Sequence, residues 1–312
     1  MPLDTLPVLS LASDPAELSR DLGESFQTFG FAMVRDHGLD PALVARAWAL
    51  TEAFFALPEA EKRRYFLAGQ GGARGYTPFR TEIAKGAKVH DLKEFWHVGR
   101  TLPEGHPLAG PSMPANIWPE RPEGFRATFE ALFAALDGVG ATILSRIAVW
   151  LGLDARWFDG PIEDGNSVLR LLHYPPVPDA EEGAIRAGAH EDINLITLLL
   201  GAQEAGLQLL TKKGEWIDVA PPEGALVVNI GDMLQRLTNH VLPSTTHRVR
   251  NPVGERAAHS RYSMPFFLHL RSDFRFETLP GCVSADNPDR YPVPITADDY
   301  LQERLREIGL RM

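Results

Sequence analysis

The stretch AGAHEDINLITLLL, residues 187–200, places a histidine and an aspartate one residue apart, His190 and Asp192, at the head of an apolar, β-branched run. On a strand, residues two apart face the same side, so an imidazole and a carboxylate here converge on one point. By itself the pair is a weak signal in a chain with ten histidines, because a strand-edge histidine near an exposed acid has the same spacing. A second histidine strengthens it. In PSTTHRVRNP (243–252), His247 lies 55 residues after Asp192, at the start of another strand-like run. Two imidazoles and one carboxylate on one face of an octahedral ion leave the other positions open. That favours non-haem Fe(II) and oxygen chemistry over structural zinc, which closes its shell, although a catalytic zinc fits the same ligands.

Outward from this stretch the texture is that of short strands between turn signals: SVLRLLHY (167–174), GLQLLT (206–211), EWIDVA (215–220), ALVVNI (225–230), THRVRN (246–251) and RYSMPFFLHL (261–270). Lys213-Gly214 suits a hairpin turn between GLQLLT and EWIDVA. The pattern predicts a β-sandwich or barrel preceded by a helical segment. Upstream, Asp14-Pro15 opens a helix that Gly30 ends, FAMVRDHG (31–38) reads as a strand, and Asp40-Pro41 opens a second helix that stops before Pro58. From Gln70 to Pro122 the pattern weakens into a long glycine- and proline-rich connection. Phe125, Phe129, Leu132, Phe133, Leu136, Ile143 and Ile147 then mark one long helix, or two with a break at Gly138 and Gly140.

RYSMPFF carries a second kind of signal. Arg261 and Ser263 are two apart and hence on one face of a strand. A guanidinium aimed into a barrel needs an anion, and an arginine beside a hydroxyl suits a carboxylate, whereas an arginine at a strand edge would pair with a surface acid. Tyr174, before Pro175, could donate its phenol to the same carboxylate or serve as a core tyrosine at a strand end.

The bulk numbers set limits on partners. At 312 residues with 44% hydrophobic content the chain can build a sizeable core. A net charge of −10 argues against a nucleic-acid partner, since phosphate binding relies on lysine and arginine. The one cysteine, Cys282, excludes an intrachain disulfide framework and multi-cysteine metal sites and fits a reducing cytoplasm. The N-terminal stretch has no signal-peptide pattern, and no apolar run is expected to reach bilayer-spanning length, so a cytoplasmic protein with no membrane partner is expected.

Taken together, HED (190–192), STTHRV around His247 and RYS (261–263) resemble the Fe(II)- and 2-oxoglutarate-dependent dioxygenase superfamily. The closer resemblance is to its isopenicillin N synthase-like branch, in a bacterial member. FQTFGFAMVRDHG (26–38) and FFALPEAEKRRYF (54–66) are similar to that branch's N-terminal region, RGYTPFRTE (74–82) and DLKEFWHVG (91–99) to its middle, and NIGDMLQRLTNHVLPSTTHRV (229–249) to its barrel. The resemblance implies a mainly β fold with flanking helices around a double-stranded β-helix, or jelly roll. Residues 1–120 would form the N-terminal region, and 121–312 the long helix plus the core, in one compact unit. It further implies His190, Asp192 and His247 as Fe(II) ligands, and Arg261, Ser263 and Tyr174 as the clamp on the far carboxylate of 2-oxoglutarate. O2 would be consumed, succinate and CO2 released, and a small-molecule substrate oxidised.

Two positions depart from the branch's pattern. Leu172 stands where an asparagine often precedes the clamp tyrosine, with His173 between, and His240 stands where a glycine is common. His240 reads as a loop residue rather than a ligand. Tyr76, Phe79, Arg80, Phe95, His97 and Phe267 are candidates for the substrate pocket, each with ordinary packing or a solvated loop as the competing reading. Two alternatives stay open: an iron-dependent oxidase of this fold that does not use 2-oxoglutarate, and a non-catalytic metabolite-binding or sensor protein. Neither the substrate nor the oligomeric state is legible.

Overall fold

A computed structural model describes residues 5–69, 72–81, 90–176, 186–200, 206–251 and 258–307. The first half runs β1 (Val8–Ser10), α1 (Pro15–Phe29), β2 (Phe31–Arg35), α2 (Pro41–Phe55), α3 (Glu59–Lys62), β3 (Gly75–Thr77), β4 (Glu94–Gly99) and α4 (Phe125–Trp150). It continues with α5 (Asp159–Ile162), β5 (Val168–Tyr174), β6 (Ala187–His190), β7 (Ile196–Leu200), β8 (Leu207–Leu210), β9 (Trp216–Asp218) and β10 (Leu226–Ile230). The C-terminal part holds α6 (Asp232–Leu237), β11 (His247–Val249), β12 (Arg261–Leu268), β13 (Arg275–Phe276), β14 (Ile295–Thr296) and α7 (Ala297–Glu307).

Local chemistry sets the helix ends. The Asp14 carboxylate accepts from the amides of Ala16 and Glu17, and Pro15 fills the first helical position of α1. Gly30 closes the helix with φ 68°, a conformation open to glycine at little steric cost. A Cβ there would also lie 2.2 Å from Thr245 Oγ1. In α4 the break considered at Gly138 and Gly140 does not occur: the apolar positions on both sides stay in register on one buried face. Gly140 serves close packing instead, since a Cβ would fall 2.3 Å from Leu268 Cδ1 on β12. By length and composition α4 could cross a membrane, with a window of mean hydropathy 1.6, which corrects the expectation that no run reaches that length. Its buried face packs in the core with Leu198 and Phe266 of the sheet.

Eight strands form one sheet in the order β1-β2-β10-β7-β12-β5-β4-β3, and four form a second in the order β6-β11-β8-β9. Strands from before residue 120 hydrogen-bond directly to core strands, β2 to β10 and β4 to β5. Alternation along the large sheet separates two apolar layers. One face packs under α1, α2 and α4 through Phe26, Phe54, Trp96, Phe129, Leu198 and Phe266. The other face turns Phe31, Met33, Phe95, Leu172, Tyr174 and Val227 toward Leu207, Leu209 and Val249 of the small sheet. The two sheets enclose the interior of a jelly roll with helices on one outer face. The expected hairpin joins β8 to β9, with the Gly214 amide donating to the Thr211 carbonyl.

Candidate metal centre

His190 and His247 sit directly opposite one another on the antiparallel pair β6 and β11, with ring centroids 4.4 Å apart. Asp192 lies two residues beyond the end of β6, in the connection to β7, so it reaches the histidines by a different route from the same-strand alternation expected. Its backbone carbonyl accepts the Asp232 amide at 2.7 Å, fixing this connection to the start of α6. Asp192 Oδ1 is 3.7 Å from His190 Nε2 and 3.8 Å from His247 Nε2, and one ligand atom from each residue lies within 4.8 Å of the other two.

The atoms facing away from this point are tied back. Asp192 Oδ2 accepts from the Thr197 hydroxyl at 2.6 Å and the Asn229 amide at 2.9 Å, leaving Oδ1 inward. Each imidazole is hydrogen-bonded through Nδ1 to a backbone carbonyl, His190 to Gly188 and His247 to Thr245. Carbonyls only accept, so both Nδ1 atoms carry a proton and the Nε2 atoms are the ones that point to the common centre as ligand atoms. Burial, reinforced by the neighbouring His247, lowers His190 to about 4 and keeps it neutral. Burial raises the Asp192 carboxyl, but the two imidazoles and the bonds from Thr197 and Asn229 bring it below its ordinary value. Two imidazole Nε2 atoms and one carboxylate oxygen converging on a point fit a divalent iron ion with open positions.

Further along the inner wall, Arg261 of β12 pairs in register with Tyr174 of β5, and the Arg261 guanidinium carbon lies 5.0 Å from the tyrosine ring centroid. Arg261 Nη1 is 3.5 Å from Ser263 Oγ. Arg261, Ser263 and Tyr174 are 3%, 2% and 2% exposed, so the barrel brings all three expected clamp residues together inside.

Residues 165–270 match the 2OG-Fe(II) oxygenase superfamily, and residues 6–121 match the non-haem dioxygenase in morphine synthesis N-terminal family. A 2-oxoglutarate-Fe(II) type oxidoreductase of Emericella nidulans is 34% identical over 298 residues, covering 92% of this chain and 83% of that protein. The chain belongs to the 2OG-Fe(II) oxygenase superfamily. A crystal structure of a 2OG-Fe(II) oxygenase family protein from Caulobacter crescentus superposes with a TM-score of 0.91 at 52% identity, covering 98% of this chain and 99% of that one. A Neurospora crassa protein crystallised with alpha-KG and thymine superposes with a TM-score of 0.85 at 30% identity, covering 96% of each chain. This protein is thus an Fe(II)- and 2-oxoglutarate-dependent dioxygenase that uses O2.

The dioxygenase's substrate-side candidates divide by sheet face. Phe95, His97 and Phe267 point inward from β4 and β12. Tyr76 does not: it is fully buried on the helix side, where its hydroxyl bonds to Glu94 and Glu59, so it is a core tyrosine. Burial and Glu94 push its pKa well above the ordinary tyrosine value. Phe79 and Arg80 lie in the turn after β3, with Arg80 exposed and its guanidinium 5.6 Å from the Phe79 ring; the sheet does not direct them into the barrel.

Leu172, at the position where the branch often has asparagine, is buried in the inner apolar layer and offers no polar contact there. His173 faces the opposite side, bonded to Glu94 and Ser260. His240 adopts φ 66° and stacks on Tyr291, with its Nε2 2.6 Å from the tyrosine hydroxyl, and is not one of the three converging ligand residues. The inward residue that sequence reading missed is Arg170. Alternation in VLRLLHY places it with Leu172 and Tyr174, so the signal was present once Tyr174 was assigned inward.

Proposed function

We propose that the dioxygenase oxidises a small molecule at an unactivated carbon, by hydroxylation, desaturation or ring closure, while 2-oxoglutarate is converted to succinate and CO2. His190, Asp192 and His247 would hold Fe(II) through Nε2, Oδ1 and Nε2. When bound, the iron activates O2 for attack on the 2-oxo acid and for oxidation of the substrate. The protein's part is positional: two backbone carbonyls hold the imidazoles in the metal-facing tautomer, and Thr197 and Asn229 fix which carboxylate oxygen faces the iron. Arg261, Ser263 and Tyr174 would fix the far carboxylate of 2-oxoglutarate, in a buried setting where charge-assisted bonds are strong.

The observation that carries this reading is the convergence of three metal-facing lone pairs whose other polar atoms are already bonded. A small-molecule substrate is in keeping with the Neurospora crassa relative, whose crystal structure holds thymine. The test is a screen of small molecules against Fe(II)-loaded protein, with succinate and CO2 measured. Substrate-stimulated formation of both, in equal amounts, is the expected result. Substrate oxidation with no succinate would favour the oxidase that does not use 2-oxoglutarate, and no turnover with retained ligand binding would favour a sensor.

A further inference from the structure

We propose that Asp91 is a positioning residue for the metal centre: its carboxylate holds the Gly188 amide, and Gly188 in turn holds the His190 ring. The inference rests on His190 serving as a metal ligand, and it deepens that reading by adding a residue from the N-terminal part of the chain. Asp91 precedes β4, within the residues 6–121 that match the N-terminal family. Gly188 lies in β6, 97 residues later.

The strand explains why Gly188 needs a distant partner. β6 is an edge strand of the small sheet, and its pairing with β11 slips between the Ala187–Val249 pair and the His190–His247 pair, so that β6 carries one extra residue there. A bulge of this kind interrupts the ladder, and a buried amide left without an acceptor is costly. Gly188 is buried at the slip. Its amide donates to Asp91 Oδ1 at 3.3 Å, while its carbonyl accepts from His190 Nδ1 at 2.7 Å. One residue thus links the carboxylate to the imidazole.

Asp91 is itself fixed. It is 5% exposed, and its other oxygen accepts from Lys93 Nζ at 2.8 Å. The two histidines differ in how much they need such support. His247 is buried and packs edge-on against Phe31, with ring centroids 5.5 Å apart. His190 is less enclosed, and its one aromatic neighbour among the described residues is His247 itself. With no packed ring beside it but its fellow ligand, His190 depends on the Gly188 carbonyl for its orientation, and Asp91 sets where that carbonyl points.

The test compares two double variants of the full chain, Asp91→Asn with Lys93→Met and Asp91→Leu with Lys93→Met. Both remove the ion pair and keep the net charge, but only asparagine retains an oxygen for the Gly188 amide. In anaerobic titration the asparagine variant should bind Fe(II) within about threefold of the unmodified protein, and the leucine variant at least about tenfold more weakly. A second measurement uses Zn(II)-loaded protein and follows exchange of the ring N–H protons with water by NMR. The His190 Nδ1–H should exchange at least about fivefold faster in the leucine variant than in the asparagine variant. The His247 Nδ1–H, identified through its contact with the Phe31 ring, should not change. A merely structural loss would move both protons.

Equal Fe(II) affinity in the two double variants, or equal acceleration of both ring protons, would overturn the proposal. If the leucine variant does not fold, the unmodified protein decides by amide hydrogen exchange without metal. The Gly188 amide should be protected at least about 100-fold relative to an unfolded chain, and an unprotected amide overturns the proposal. Failure of the unmodified protein to bind either metal would strike the metal reading instead, and the metal-free exchange measurement would still decide the contact between Asp91 and Gly188.

Discussion

Asp192 is held by two hydrogen bonds to one oxygen, and that asymmetry is what makes the other oxygen a ligand. Replacing Thr197 by valine removes one of the two bonds and leaves Asn229 alone to orient the carboxylate. Anaerobic Fe(II) titration of Thr197→Val should show affinity reduced by about 10- to 100-fold, the range typical of groups that orient metal ligands. His240→Ala, which removes a ring stacked on Tyr291 and bonded to its hydroxyl, should bind Fe(II) like the unmodified protein. The spacing HxD followed by a distant histidine made these three residues legible, because few side-chain combinations serve an open iron site. What the spacing could not show is that β6 stops at His190, so that α6 and β7, not strand alternation, aim Asp192. Arg170 escaped notice for a related reason: VLRLLHY reads as a mostly apolar strand until one face is known to turn toward the small sheet.

Behind the clamp, β4, β5 and β12 are joined by a buried polar network on the helix side. Glu94 accepts from Lys62 Nζ at 2.7 and 2.9 Å and from Tyr76, and its Oε1 lies 2.7 Å from His173 Nδ1. His173 stacks on Tyr262 with centroids 4.7 Å apart and reaches Ser260 at 3.0 Å. His173 precedes Tyr174, and Ser260 precedes Arg261, so the network braces the backbone from which two clamp residues emerge. Glu94→Gln leaves the buried Lys62 with only the exposed Glu59, at 3.5 Å, as a charge partner and should destabilise the fold by about 1–3 kcal/mol, measurable by chemical denaturation. Burial alone would raise the Glu94 carboxyl, but the bonds from His173, Lys62 and Tyr76 and the charge of Lys62 hold it below its ordinary value. Stability from this group is therefore full above the ordinary carboxylate pKa and is lost as pH falls through the lower folded-state value. A denaturation series in acid should show that loss in the unmodified protein and not in Glu94→Gln. Sequence alone left Tyr76 open between pocket and core because alternation gives two faces without saying which one the helices cover. Lys62, 32 residues before Glu94, gave no local sign of its partner.

For the molecule as a whole, the C-terminal helix is tied to the metal end of the barrel. Arg304 of α7 pairs with the buried Asp232 at 2.8 Å, and the Asp232 amide holds the Asp192 carbonyl. Burial raises Asp232 to about 6, only partly offset by Arg304. Its contribution runs opposite to that of Glu94: stability from this group is fullest below its unfolded value and declines as pH rises toward about 6. Arg304→Met should steepen that decline, with lower melting temperatures at pH 7 than at pH 5 after the same comparison in the unmodified protein is subtracted. A β-sandwich or barrel of short strands and the hairpin at Lys213-Gly214 were readable from turn signals and apolar runs, whereas the jelly roll and the expected co-substrate clamp came only with the family resemblance. The joining of N-terminal strands to the core sheet, and the latch from α7, depend on contacts between distant segments that no local pattern encodes.

The central claim is that His190, Asp192 and His247 hold Fe(II) beside a 2-oxoglutarate clamp. Anaerobic addition of Fe(II) and then 2-oxoglutarate, followed in the visible, tests it most directly. The account predicts a charge-transfer band that saturates at one iron per chain, disappears in His190→Ala and Asp192→Ala, and survives in His240→Ala. No band in the unmodified protein, or a band undiminished in Asp192→Ala, would contradict it.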